Sequence, residues 1–92
     1  LLTPTLPLTA FKTGREVPED WPSTRWPTWT PFTYPFNLTG QPALSVPMGL
    51  DSNGLPMGLQ IVGARFDDAR VLAAGHAFEQ AKPWAQHRPN IG

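Results

Sequence analysis

Ser45, Asp51 and His76 are the residue types from which a nucleophile, its orienting carboxylate and a general base are built, so acyl transfer is the first chemistry to look for. Their setting does not support it. No strand-turn-helix elbow of the G-x-S-x-G kind surrounds a serine, and a chain of this length offers such a trio by composition alone. Metal chemistry fares no better: His76 and His87 lack an i, i+4 partner, and there is no cysteine to supply a thiolate. Gly40, Gly49, Gly54, Gly58 and Gly63 are spread singly and make neither a phosphate loop nor a dinucleotide fingerprint. The residues therefore spell no self-sufficient catalytic centre, no metal site and no cofactor site.

What remains is the frame that could position such chemistry. Ala43 to Met48 and Leu55 to Val62 are short, mostly apolar runs separated by Asp51-Ser52-Asn53-Gly54, residue types that turns need, and they predict a β-hairpin over residues 43–63. In the second run Leu55, Met57, Leu59 and Ile61 fall on one side of the pleat. The other side, assigned Pro56, Gly58, Gln60, Val62 and the closing Gly63, has little side chain and predicts a close neighbour at its backbone. A hairpin this apolar is marginal alone, so it belongs inside a larger sheet.

Around the hairpin, Leu1 to Leu8 is extended because Pro4 and Pro7 fix φ and restrict Thr3 and Leu6. It reads as a strand leading into a loop or, alternatively, as a PxxP ligand. Residues 9–42 form a long loop with Trp21, Trp26 and Trp29, which either pack down on the body or line the mouth of a cleft. Thr33 to Gly40 continues as loop, and Asn37 there either braces the turn before the hairpin or touches a ligand. Asp67 to Ala81 predicts a helix capped by Asp67, stapled by Phe66 onto Val71, with Val71, Ala74, Phe78 and Ala81 on one face and Leu72 and Gly75 at its edge. His76 falls away from that face. Pro83 ends the helix, and residues 82–92 read as a polar surface tail.

Composition narrows the function classes. Of 92 residues 40% are hydrophobic and only 15% charged, too few charges to cover so small a body, so much of its exterior predicts an interface. Seven basic and seven acidic residues cancel, with no basic cluster to follow a phosphate backbone, which argues against nucleic acid as a partner. No apolar run reaches the roughly 20 residues of a membrane span. The lack of cysteine suits a reducing, cytoplasmic setting. The start at Leu1, without Met or a basic leader, reads as the middle of a longer polypeptide.

The blocks FNLTGQPALSVPMG from Phe36, GLPMGLQIVG from Gly54 and RFDDARVLAAGHAFEQ from Arg65, with LLTPTLP at the start, resemble the C-terminal end of the amidase signature family. The resemblance implies an α/β fold, a fragment of a large mixed sheet covered by helices. It also implies a carbon–nitrogen hydrolase in which a serine attacks the amide, a second serine in a cis peptide relays protons and a lysine acts as base, all far upstream. Ser23, Ser45, Ser52, Lys12 and Lys82 lack the matching context, so no catalytic role falls on them, no cofactor is implied, and the fragment alone is expected to be inert.

Toward a small amide substrate the resemblance nominates Thr30, Thr33 and Asn37. In a glutamine-taking, tRNA-dependent branch of that family an Asp stands seven places before the Asn of the NLxG block and meets the substrate's amino group. Thr30 stands there in this sequence. A neutral hydroxyl beside Trp29, Phe32 and Tyr34 suits an apolar or aryl amide better. The partners expected are that substrate, the rest of an amidase chain and, through uncovered apolar faces, further copies of the segment. The competing reading is a non-catalytic module that docks through the prolines and tryptophans of residues 18–35.

Overall fold

The computed structural model describes residues 1–91; Gly92, the last residue of the expected tail, lies outside them. Strands β1 (Leu2–Pro4), β2 (Ala43–Leu50) and β3 (Pro56–Val62) make one antiparallel sheet in the order β1-β3-β2, joined by a short 3-10 helix (Trp26–Trp29) within the long loop and two α-helices, α1 (Tyr34–Thr39) and α2 (Asp68–Ala81). The hairpin stands where the two apolar runs placed it. Its turn is built by Asp51, whose Oδ1 accepts the N–H groups of Asn53 at 2.8 Å and Leu55 at 2.9 Å. Gly54 there takes φ 78°, which only glycine adopts cheaply.

The register decides which residues share a face. Thr3, Gln60 and Ser45 line up across the three strands, and so do Leu2, Ile61 and Leu44. The second row faces α2, where Val46, Ile61 and Val71 form the buried centre and Leu44, Leu59, Phe78 and Trp84 pack around it. The first row faces the opposite way and carries the polar side chains. A register shift between Pro47 and Gly49 then opens the far end of the hairpin.

Helix α2 approaches the sheet closely because glycines leave room. A β-carbon on Gly75 would collide with Leu44, and one on Gly63 would lie 2.5 Å from Val71 Cγ2. Gly63 therefore faces α2, not the side carrying Gly58 to which the sequence pattern assigned it. The buried stripe of α2 runs through Val71 and Gly75 to the half-buried Phe78, whereas Ala74 and Ala81 are exposed. The expected staple is absent: Phe66 is 87% exposed at φ 66°, under the Arg65 guanidinium 5.0 Å from its ring centroid. Asp67 makes no side-chain cap bond and pairs instead with Arg70 at 3.2 Å. Trp84 leaves the expected surface tail to pack 6.4 Å from Phe78.

Two further expectations are revised. The strand expected over residues 1–8 forms ladder pairs only at Leu2–Pro4, since Pro4 and Pro7 withhold donors; Thr5 N–H still reaches the Gly58 carbonyl at 2.9 Å before the chain turns away. The segment expected as loop before the hairpin contains α1. Pro35 sits in its first turn, where its missing N–H breaks no bond within the helix, and Gly40 at φ 70° closes it with its N–H on the Phe36 carbonyl.

Candidate functional site

The sheet face opposite α2 carries an open apolar groove of about 740 Å³. Its walls come from the segment leaving β1 (Leu6, Pro7, Leu8), from the bulged end of the hairpin (Met48, Met57) and from Phe11 and Trp29 on the long loop. At its floor Gly58 has no side chain, and the hydroxyls of Thr5 and Ser45 meet over it at 2.7 Å. A β-carbon on Gly58 would lie 2.8 Å from both oxygens, so glycine is what lets this pair form. The volume falls within the roughly 300–1,000 Å³ of small-molecule sites.

The tryptophans of the loop do both things expected of them. Trp29 stacks edge-on against Phe11 at 5.4 Å, ties its indole N–H to the Glu16 carbonyl at 2.8 Å and lines the groove. Trp21 donates to Thr28 Oγ1 at 2.9 Å, while Trp26 stays 55% exposed. Thr9 Oγ1 anchors the near end of the loop to Asp51 Oδ2 at 2.9 Å. The Leu55 N–H, helped by the Thr9 hydroxyl and the Asn53 N–H, holds the Asp51 carboxyl below its ordinary range against the opposing effect of desolvation.

Directly after Trp29 the backbone winds as a series of right-handed turns: Thr30 N–H bonds Pro27 O, Thr33 N–H bonds Thr30 O and Phe36 N–H bonds Thr33 O. Thr30 and Thr33 thus stand at the two ends of one turn, and Asn37 lies on the helix α1 that follows. Their availability differs. Thr30 Oγ1 donates to Pro27 O at 3.0 Å and Thr33 Oγ1 to Thr30 O at 3.4 Å, which leaves both hydroxyls only as acceptors. Asn37 is exposed on α1, and its side-chain amide makes no hydrogen bond among the described residues. The turn into β2 is braced by Gln41 instead, whose Nε2 donates to the Gly63 carbonyl at 3.0 Å.

The residue that sequence reasoning passed over is Gln60. It is the one buried polar side chain among the described residues, at 4% exposure, and its Nε2 donates to Thr3 Oγ1 at 2.9 Å and to the Phe32 carbonyl at 2.7 Å. Ser45, Asp51 and His76 are not brought together: Ser45 lies on the groove face, Asp51 in the hairpin turn, and His76 is exposed on α2 across the sheet. No cluster of His, Cys, Asp or Glu suited to a metal ion forms among the described residues, and no helix there is long and apolar enough to cross a membrane.

Comparison with known proteins fits this geometry. The sequence model of the family described as Amidase matches residues 1–72. The chain is 50% identical over 91 residues to the A subunit of the glutamyl-tRNA(Gln) amidotransferase of Gluconobacter oxydans, covering 99% of this chain and 18% of that protein. The crystal structure of the corresponding protein from Thermotoga maritima superposes with a TM-score of 0.75 at 47% identity, over 90% of this chain and 17% of its own. A 6-aminohexanoate cyclic dimer hydrolase superposes with a TM-score of 0.77 at 33% identity, over 98% of this chain and 20% of its own. The chain thus spans about a fifth of the length of the relatives it matches.

Proposed function

Because this chain belongs to the amidase family, we propose that it serves as the C-terminal part of an enzyme that hydrolyses a carbon–nitrogen bond of a small, apolar or aryl amide. In this reading the reactive serine, the cis-serine relay and the lysine of the family lie in the remainder of the polypeptide. The present residues build one wall of the acyl pocket. Trp29 and Phe11 exclude water and offer an aromatic surface to the acyl group. The groove lining includes Trp29 but none of Thr30, Thr33 and Asn37; in this reading the turns that follow Trp29 bring the acceptor oxygens of Thr30 and Thr33 to a substrate N–H once the rest of the enzyme completes the pocket.

The observation that carries the reading is the charge-free lining. A substrate ammonium would need a carboxylate, and the Thr30 hydroxyl, already committed to Pro27 O, carries none. One relative is a hydrolase of the 6-aminohexanoate cyclic dimer, an amide with methylene chains and no ammonium of its own. A second reading, the glutamine-taking component of a tRNA-dependent amidotransferase, is favoured by the higher identities to such proteins. The two separate on substrate choice. The full-length polypeptide is expected to hydrolyse aryl or alkyl amides with a kcat/KM well above that for glutamine, and residues 1–92 alone are expected to be inert. Preference for glutamine would favour the second reading; hydrolysis by the isolated segment would overturn the assignment of its chemistry to the rest of the chain.

A further inference from the structure

The carbonyl of Phe32 has an unusual difficulty. The segment is wound by i to i+3 bonds onto the carbonyls of Arg25, Pro27, Thr30 and Thr33; the corresponding partner of the Phe32 carbonyl would be the N–H of residue 35, and residue 35 is proline. The next N–H, that of Phe36, is already on Thr33 O. A carbonyl left without a donor at such a place is destabilising when it is out of water. The donor comes instead from across the fold, from Gln60 Nε2 at 2.7 Å, on a side chain 4% exposed and itself steadied by Thr3 Oγ1 at 2.9 Å. Few other ties hold the segment: α1 buries none of its residues, and at the far end Gln41 bonds Gly63 O.

We propose that Gln60 is a positioning residue: its amide replaces the N–H that Pro35 lacks, and thereby sets the height of the Thr30–Thr33 turn above the sheet and the fit of that turn to the substrate. Gln60 does not touch the substrate. It acts through Phe32, two residues from Thr30 and one from Thr33, and the claim rests on the amidase reading given above.

The test uses the full-length polypeptide with the amide that the wild type hydrolyses best. Gln60→Leu keeps the volume and removes both donors; it is expected to raise KM at least tenfold with kcat changed less than threefold. It should also speed backbone amide exchange at residues 32–37 and leave that of β2 unchanged. Pro35→Ala restores a local N–H, so the double variant is expected to recover most of the lost KM. Should Gln60→Leu fail to fold, Gln60→Asn, one methylene too short to reach Phe32, is read in the same way. Equal falls in kcat and in stability, or no recovery on adding Pro35→Ala, would overturn the proposal in favour of a plain packing role. Faster exchange at residues 32–37 with an unchanged KM would also overturn it, while leaving the amidase reading intact. A wild type without amide hydrolysis would remove that reading, and the exchange data would still decide whether Gln60 holds the turn.

Discussion

Asp51 illustrates how a single carboxylate reports on a turn. Its folded proton affinity is lowered chiefly by the Leu55 N–H, so the stabilisation it gives is complete above the unfolded Asp range of about pH 3.9 and is lost as pH falls through the lower folded value. Asp51→Asn is therefore expected to reduce protection of the Asn53 and Leu55 amides at pH 7. Acidification below about pH 3.9 should lower the same protection in the wild type and not in the variant, which exchange measured by NMR would show. Asp51 was legible as a turn residue because the types that bond their own backbone are few. Gln60 was not: its side of the strand pointed to a close neighbour at the backbone, but nothing local names the carbonyl it serves, which lies 28 residues away. Thr30 and Thr33 were nominated by resemblance alone; the structure adds the hydrogen bonds that turn their hydroxyls into acceptors.

Between elements, small residues govern the approach of α2 to the sheet, and two glycines should respond differently. Gly63→Ala would press on Val71, a buried β-branched side chain with one helical rotamer, and is expected to cost about 1–3 kcal/mol. Gly75→Ala presses only on the terminal methyl of the half-buried Leu44, which can swing. The gain of about 1 kcal/mol in helix propensity should then leave it near neutral. Denaturant midpoints of the two variants in the full-length polypeptide check the contrast. The hairpin and α2 were readable because period and turn residues agreed. Helix α1 was missed although Pro35 and Gly40 marked both its ends, because six residues give no apolar period and none of them is buried. The extended start was read too long for the opposite reason: β propensity continues past Pro4, but the ladder needs donors.

Taken whole, the molecule is not closed on itself. Its accessible surface of 6979 Å² is roughly a third above that of a monomeric globular protein of this mass, and its radius of gyration of 14.9 Å exceeds the about 12 Å expected for this length. Among the described residues only Val46, Ile61, Val62 and Val71 are buried hydrophobics, while Leu2, Leu50 and Leu72 are each more than half exposed. The isolated segment is therefore expected to self-associate or melt without a sharp transition, and a strictly monomeric, reversibly melting species in the ultracentrifuge would count against this. The low charge fraction had pointed to such uncovered surface, since composition is read without knowing the fold. The placement of the groove had not, because it depends on the bulge after Pro47 and on the path of the long loop. Helix α1, tied at its two ends and buried nowhere along its length, has one last implication. Natural variation at Asn37, Leu38 and Thr39 is thermodynamically almost silent, so any evolutionary constraint on those three positions records a neighbour or a substrate and not the upkeep of this fold.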